Sequence, residues 1–317
     1  MILSPRDYDE FVRSPFADET IGGSDGITSV VVVGSPTIIA TPGSLPVVVI
    51  ALRTDGRTGP SEADVVVDEA GLADVTRVIA AAPIAATSLA VLLRSMPTAD
   101  VEAGLAAESA VYSTLQAGPE FAAWRSTAPD LAIADEHVTV RLSRDGSELT
   151  IRLDRPHRHN AISTRMRDEL TEALQLAVVD ESIATVHLVG TGASFCSGGD
   201  LGEFGARLDP ATAHRTRLSR SPARLIHCLR DRMVVHLHGA ALGGGIEMAA
   251  FAGRVLARAD TQIALPEVSL GLIPGAGGTV SLPRRIGRQR TALLALTATT
   301  IGATTARRWG LVDHIVD

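Results

Sequence analysis

The 317-residue sequence contains no lysine, because all 29 basic residues are arginine. Without lysine, the chain has no Schiff-base nucleophile, no anchor for pyridoxal phosphate and no phosphate-loop lysine, so those catalytic classes are excluded. Cysteine is almost as scarce. Cys196 and Cys228 are too few for a disulfide scaffold and are consistent with a reducing cytosol.

Aromatic residues make up only 3% of the chain, so the core has to be built from alanine, valine, leucine and isoleucine. Hydrophobic residues reach 45% and charged residues 21%, which predicts a folded chain with a sizeable core. The net charge of −7 argues against a nucleic-acid-binding surface and against a polybasic membrane anchor.

The sequence also lacks a long uninterrupted apolar run. Its most apolar stretch, Val30–Leu52, is broken by glycines and prolines and predicts two strands, Ser29–Val33 and Val47–Leu52. The N-terminus carries acidic residues where a signal peptide needs a positive region. We therefore expect a soluble cytoplasmic protein with no membrane or nucleic-acid partner.

The hydrophobic periodicity changes along the chain. From Asp68 to Trp124 apolar residues recur at helical spacing, and a break at Ser126–Pro129 predicts a linker. From His137 onward, strand patterns alternate with helix patterns, which predicts an α/β fold with mostly parallel strands. The elements predicted there are a hairpin over 137–154, helices over Ser163–Val178, Arg224–Leu229 and Gly244–Val255, and strands over Ile183–Gly190, Met233–Leu237 and Gln262–Ala264.

Three segments carry residues suited to chemistry. FCSGGDL (195–201) follows a predicted buried strand, and its glycines let backbone amides approach a ligand. HGAALGGGIE (238–247) has three glycines before a predicted helix, whose first amides suit a developing oxyanion. LPEV (265–268) offers the carboxylate of Glu267 to a cavity. Taken singly, each segment also fits an ordinary turn, a helix cap or a surface loop.

Histidine and cysteine give weaker signals. His236 and His238 face one side of a predicted strand, but a metal site needs a third ligand that the sequence does not supply beside them. Cys196 has no base nearby in sequence, so we expect its thiol to pack in the core. No metal site is predicted.

The order and spacing of these segments resemble the crotonase (enoyl-CoA hydratase/isomerase) superfamily. The resemblance covers His137 to Asp317. It is carried by Arg155-Pro156, Asn160-Ala161, FCSGGDL, HGAALGGGIEMA, ALPEVSLGLIPGAGGT and WGLVDHIVD. Glu247 and Glu267 have the 20-residue separation of the two active-site glutamates in that family. The resemblance implies a crotonase-like spiral of ββα units with a helical subdomain.

The resemblance also implies a set of site residues. The amides of Gly199 and Gly244 would form an oxyanion hole for a thioester carbonyl. Glu247 and Glu267 would share the acid and base work, because burial and neighbouring charge can push two carboxyl pKa values apart. The residues implied at the adenine end of the coenzyme A site are Ala161, Ser197 and Leu201, with Arg125 the nearest candidate for a phosphate contact.

The resemblance implies an enoyl-CoA hydratase that adds water across the 2,3 double bond of a 2-enoyl-CoA thioester. Coenzyme A would belong to the substrate, with no further cofactor, and the enzyme would form a homotrimer or a hexamer. One alternative is a Δ3-Δ2 enoyl-CoA isomerase, which needs one glutamate base and no water. Another is a noncatalytic acyl-CoA-binding subunit. The retained pair of glutamates favours the hydratase.

The chain order departs from the family pattern. In relatives, helices that cover the active site follow the WGLVDHIVD motif. Here, Ala63–Arg94 resembles the segment that normally follows that motif, and Val101–Trp124 resembles the terminal helix. We therefore predict a circular permutation, with an extension of unassigned role (1–60), a helical segment (61–130) and a crotonase-like core (136–317). The alternative is a separate α/β module in front of a truncated core.

Overall fold

The computed structural model describes residues 1–22, 26–34, 39–53, 60, 62–96, 100–128, 137–204 and 209–317. Within these ranges the chain adopts a mixed α/β fold with three sheets. The predicted linker at Ser126–Pro129 is only partly covered, because Pro129 lies outside the described residues and helix extends through Thr127.

The helices are α1 (Pro5–Arg13), α2 (Ala17–Ile21), α3 (Glu69–Ala81), α4 (Pro83–Ser95), α5 (Val101–Gln116), α6 (Pro119–Thr127), α7 (Thr164–Val179), α8 (Pro210–Ser219), α9 (Pro222–Cys228), α10 (Gly244–Ala249), α11 (Gly278–Ile286), α12 (Arg288–Thr297) and α13 (Ala303–Trp309). The strands are β1 (Ile2–Leu3), β2 (Ser29–Val33), β3 (Val48–Leu52), β4 (Val65–Val67), β5 (Val140–Asp145), β6 (Glu148–Leu153), β7 (Thr185–Gly190), β8 (Met233–Leu237), β9 (Ala240–Leu242), β10 (Arg254–Arg258), β11 (Gln262–Ala264), β12 (Ile301–Gly302) and β13 (His314–Val316).

The largest sheet has the order β13-β10-β8-β7-β6-β5. Its pairs are parallel except for the β5–β6 hairpin. A small sheet, β12-β11-β9, lies at the site described below, and a parallel sheet, β1-β2-β3-β4, comes first in the chain. The predicted α/β fold with mostly parallel strands is confirmed.

Helix α7 shows how the sequence pattern builds the core. The Ser163 hydroxyl caps the helix by accepting from the amide of Met166. Met166, Leu170 and Leu174 then recur every four residues on one face and are fully buried. Burial of each such side chain stabilises the fold by about 1.5–3 kcal/mol.

The predicted helix over Gly244–Val255 is wrong in its second half. Helix α10 ends at Ala249, and Val255 lies in strand β10. The chain changes direction at Gly253, whose amide donates to the carbonyl of Arg230 (2.9 Å), and that carbonyl leaves no room for a side chain at Gly253. An alanine-rich apolar run has no clear period, so the pattern did not mark this change.

Helices α3–α6 pack against the part of the chain that carries the predicted active site. Helix α5 lies against α8 and α11, while α3 and α4 lie against α12. The fit between α5 and α11 is close, because a Cβ at Gly104 would lie 2.9 Å from Cγ2 of Val280. A Cβ at Gly271 would likewise lie 2.5 Å from the amide nitrogen of Phe121 in α6.

A buried ion network joins the first sheet to the same helices. Asp64, which is 1% exposed, pairs with Arg94 of α4 and with Arg288 of α12, the latter at 2.9 Å. Asp64 also accepts from the backbone amide of Val49 in β3 (2.8 Å). The carboxylate is therefore compensated on several sides, as a buried charge requires.

No single helix in the described ranges is long and apolar enough to cross a membrane. Helices α3 and α4 reach that length and composition only together, and the pair bends by 111° at its break.

Candidate active site

The first two glycine-rich segments lie side by side. The amide of Cys196 donates to the carbonyl of Ala240 (3.0 Å), and the amide of Leu242 donates back to the carbonyl of Cys196 (2.9 Å). A Cβ at Gly198 would lie 3.5 Å from the amide nitrogen of Gly244. Residues more than 40 positions apart in the chain therefore meet across one short backbone ladder.

The amides of Gly199 and Gly244 are left out of this ladder. The segment around Gly199 is joined to Ile162 by a bond from the Ile162 amide to Gly198 and by a bond from the Asp200 amide to Ile162. Neither bond uses the Gly199 amide. Gly244 is the first residue of α10, so its amide has no intrahelical acceptor. Among the described residues, neither of the two predicted oxyanion-hole amides has a backbone acceptor.

Glu247 is buried, with 1% of its surface exposed, in the first turn of α10. Its Oε2 accepts from the amides of Ala276 (2.7 Å) and Gly278 (2.9 Å). Burial, followed by the nearby Glu267 carboxyl, raises the pKa of Glu247 well above its ordinary value, while the two amides oppose that shift.

Glu267 lies directly after Pro266, at the start of the turn that follows β11. Its side chain is buried, and its Oε2 has no hydrogen-bond partner among the described residues. Burial raises the pKa of Glu267 to about 8. Its Oε1 packs against Gly243 so closely that a Cβ there would overlap it. The two predicted catalytic carboxyls are therefore buried neighbours.

A third buried carboxyl, that of Glu108 on α5, was not predicted from the sequence. Its Oε1 accepts from the amide of Gly277 (2.7 Å), and its Oε2 accepts from the amide (2.9 Å) and hydroxyl (2.7 Å) of Thr279. Burial raises the pKa of Glu108 to about 7. The loop that holds Glu247 is thus also held by a residue from the N-terminal helices.

The sequence did carry a signal for Glu108. It lies on the same helical face as Val101 and Leu105, and it is a lone carboxylate among apolar positions that repeat every three to four residues. The next turn of that face brings Tyr112, whose ring would overlap a Cβ at Gly275. Buried charges of this kind rarely occur without a partner or a function.

The residues implied at the coenzyme A site lie on two adjacent segments. The amide of Ser197 donates to the carbonyl of His159 (3.0 Å), which brings Ser197 beside the Ala161 segment. Leu201 follows on the same loop as Ser197 and is 42% exposed, so its side chain is accessible to a ligand. Arg125 lies in the last turn of α6.

The Arg155-Pro156 and Asn160-Ala161 motifs contact the loop that contains Ser197 and Leu201. Arg155, which is 1% exposed, pairs with Asp200 at 2.6 Å, and Arg158 pairs with the other oxygen of Asp200 at 3.1 Å. The Asn160 side chain accepts from the amide of Arg155 (2.8 Å) and donates to the carbonyl of Ser194 (2.8 Å). These contacts position the loop backbone.

The histidines and Cys196 have structural partners. His236 bonds to His187 (Nε2 to Nδ1, 3.0 Å), and His238 donates to the carbonyl of Gly192 (3.0 Å). No group of three or more potential metal ligands occurs within the described ranges. Cys196 is packed in the core as predicted, and burial raises the pKa of its thiol to about 12, so the thiol is neutral at physiological pH.

Comparisons with known proteins point to one family. Residues 144–317, more than half of the chain, match the family model described as enoyl-CoA hydratase/isomerase. The chain is similar to a putative enoyl-CoA hydratase/isomerase of Bacillus subtilis, with 36% identity over 166 residues. That match covers 52% of this chain and 64% of the Bacillus protein, which is less than two thirds of its length.

Two solved structures share the fold of the same part of the chain. The crystal structure of an enoyl-CoA hydratase from Thermoplasma volcanium aligns with a TM-score of 0.52 and 33% identity, over 57% of this chain and 73% of that one. A putative enoyl-CoA hydratase from Thermobifida fusca, solved in complex with CoA, aligns with a TM-score of 0.51 and 30% identity, over 56% and 72%.

Proposed function

The chain belongs to the enoyl-CoA hydratase/isomerase family, and we propose that it adds water across the 2,3 double bond of a 2-enoyl-CoA thioester. One observation carries the proposal: the buried carboxyls of Glu247 and Glu267 are neighbours beside the glycine segments that contain Gly199 and Gly244. An isomerase needs one base, whereas addition of water needs a group to take a proton and a group to deliver one.

In this proposal the amides of Gly199 and Gly244 donate to the thioester carbonyl. Attack of water at C3 moves electrons onto that oxygen, and the two amides stabilise the negative charge as it develops. The amides are already in position before the reaction begins, so stabilising the charge requires no reorganisation of the protein. Removal of one donor from a comparable site costs ~10²–10³ in kcat.

Each carboxyl of the Glu247–Glu267 pair carries out one of the two proton transfers. Two like charges at short range favour a state in which the pair holds one proton. The amides of Ala276 and Gly278 favour the negative charge on Glu247, whereas the Oε2 of Glu267 has no donor among the residues described. Glu247 is therefore the base that takes a proton from water, and Glu267 is the acid that delivers a proton to C2.

Coenzyme A enters this scheme as part of the substrate, with no resident cofactor. Ala161, Ser197 and Leu201 are proposed to contact its adenine end. The proposal is supported by the exposed side chain of Leu201 and by the similarity to the Thermobifida protein that was solved with CoA. Family resemblance also supports a trimer or a dimer of trimers, which light scattering on the purified protein tests.

We also propose that the chain is circularly permuted, with α3–α6 taking the place of the helices that follow the core in relatives. Contacts from two of these helices support the proposal. Glu108 and Tyr112 of α5 touch the loop that holds Glu247, and the Trp124 ring of α6 lies 6.4 Å from that of Phe204, edge to face.

A chain with residues 63–128 moved behind Asp317 through a flexible linker should fold and keep its activity. Loss of folding in that chain would contradict the permutation.

The function is tested by mixing the protein with crotonyl-CoA and with a longer 2-enoyl-CoA, following loss of the conjugated-thioester absorbance. Glu247→Gln and Glu267→Gln should each lower kcat by ~10²–10⁴, the usual contribution of a general acid or base. Glu10→Gln, at an exposed glutamate of α1, is the matched control. Turnover of a 3-enoyl-CoA without hydration of either substrate would indicate the isomerase instead. Binding of the thioesters without any turnover would indicate a noncatalytic subunit.

A further inference from the structure

A cavity of about 140 Å³ lies beside the loop that holds Glu247. Gly275, Ala276 and Gly277 of that loop line the cavity, and so do the apolar side chains of Ile162 and Met248. Ile162 also packs beside the predicted oxyanion hole, because its Cδ1 lies 3.2 Å from the position of a Cβ at Gly244. An acyl chain whose carbonyl occupies that hole therefore has this cavity next to it.

The rest of the cavity wall carries more basic than acidic side chains. Its glutamates are Glu102 and Glu108, and its arginines are Arg167, Arg217, Arg220 and Arg224. Two of these charges are compensated locally. Arg167 pairs with Asp168 (2.9 Å), and Arg220 lies 3.6 Å from Glu172, where both side chains are exposed.

Arg217 on α8 is held by neutral groups. Its Nε donates to the hydroxyl of Ser109 (3.1 Å), another of its nitrogens donates to Ser113, and its guanidinium lies 4.6 Å from the ring centre of Tyr112. No carboxylate lies within ion-pair distance of Arg217 among the described residues. The Glu108 carboxyl attracts the guanidinium from beyond ion-pair distance, so the surroundings fix the position of the guanidinium without a direct ion pair.

Arg224 on α9 lacks compensation more completely. Its Nε is buried and has no hydrogen-bond partner within the described part of the chain, where no carboxylate pairs with it either. Glu108 also lines the cavity, but both of its oxygens accept from Gly277 and Thr279. A buried donor without an acceptor is unfavourable, and more so when it is charged. An anion in the cavity would remove that cost.

We propose, on the basis of the hydratase function above, that the substrate is a short 2-enoyl-CoA whose acyl chain ends in a carboxylate. Arg217 and Arg224 bind that carboxylate, since the planar guanidinium matches carboxylate geometry and forms strong charge-assisted hydrogen bonds. Ile162 and Met248 pack against the intervening methylene groups. The cavity is small, since one of ~150 Å³ takes no more than a benzene ring in another protein, so the acyl chain is short.

The test compares two substrates of equal length, hex-2-enoyl-CoA and hex-2-enedioyl-CoA, which differ only at the terminal methyl or carboxylate. We expect the ratio of their kcat/KM values to favour the carboxylate at least 10-fold. Arg217→Met and Arg224→Met should each lower that ratio by ~10- to 100-fold, which corresponds to the loss of one charged hydrogen-bonded contact. Arg77→Met, at an exposed ion pair on α3, is the control and should leave the ratio unchanged.

Binding of the saturated analogues hexanoyl-CoA and adipyl-CoA separates this proposal from the proposed function. Tighter binding of adipyl-CoA by 10-fold or more, lost in Arg224→Met, supports the carboxylate site even if neither enoyl substrate is hydrated. Equal binding of the two analogues overturns it, even if both enoyl substrates are hydrated. A fall in affinity for free CoA in the arginine variants also overturns it, because the arginines would then bind the CoA phosphates.

Discussion

Glu108 and Glu247 hold the same loop through alternating amides. Glu247 accepts from the amides of Ala276 and Gly278, and Glu108 accepts from the amide of Gly277 between them. The two glutamates come from helices 139 positions apart in the chain, α5 and α10. The position of the proposed catalytic base therefore depends on a helix that precedes the whole core.

Glu108→Gln tests that dependence. A glutamine amide nitrogen cannot accept from Gly277 or Thr279, so one side of the loop loses its acceptor and buried amides are left unpaired. We expect the free energy of unfolding to fall by about 1–3 kcal/mol. We also expect kcat to fall ~10-fold with little change in KM, because both oxygens of Glu108 are taken by Gly277 and Thr279 and the residue acts through the loop that they belong to.

The control for Glu108→Gln is Thr279→Ser, which keeps both donors to the carboxylate. It should retain nearly full kcat. Equal losses in kcat and in substrate affinity for Glu108→Gln would instead indicate general disruption of the fold, and would contradict a positioning role.

Gly243→Ala should lower activity by displacing the carboxyl of Glu267. Gly243 has φ of 45°, and a Cβ there would overlap the Oε1 of Glu267. We expect kcat to fall by ~10² or more, because the acid must move to make room. Gly146→Ala is the matched control, since Gly146 has φ of 55° but nothing within 4 Å of its Cβ position. If both variants lose activity equally, backbone strain and not displacement of Glu267 is the cause.

The stability of the protein should fall as the pH rises from about 4.5 to about 8. The pKa of Glu267 is raised from 4.5 to about 8 on folding, so the folded chain retains a proton that the unfolded chain has lost. Each retained proton lowers the free energy of unfolding by about 1.4 kcal/mol per pH unit within that window. Below the window both states are protonated, and the contribution of the neutral carboxyl is fully present.

Urea unfolding at several pH values between 4.5 and 8.5 measures this slope. Glu267→Gln cannot ionise and should make the slope shallower by about the contribution of one proton, so the variant gains stability relative to the parent as the pH rises. A slope that is identical in parent and variant would show that Glu267 does not carry the proton.

Asp64→Asn should destabilise the junction between the first sheet and the core. It would leave the buried Arg94 and the partly buried Arg288 without their shared carboxylate. Breaking a buried ion pair from one side costs about 3–5 kcal/mol, which calorimetry would show as a large drop in Tm. Asp74→Asn, at the exposed pair with Arg77, is the control and should cost less than about 1 kcal/mol.

Much of the fold follows from local pattern. The strand over Met233–Leu237 has the bounds that the sequence predicted, and the helix predicted over Ser163–Val178 differs by one residue at each end. The helix has a clear apolar period and a Ser163 cap, and Gly239 follows the strand closely. The helix predicted over Gly244–Val255 failed because its apolar run has no period, and the turn at Gly253 depends on a carbonyl from another part of the chain.

The sequence by itself determined the chemistry that this protein offers: two glutamates at a fixed spacing, glycine segments that free backbone amides, and no lysine. Only the tertiary structure decided that Glu108 shares their loop and that Arg217 and Arg224 line the adjacent cavity without a carboxylate partner among the described residues. The physical reason is that the spacing of residues along the chain determines local backbone structure. Burial and charge compensation instead depend on which distant side chains the fold brings within a few ångströms of one another.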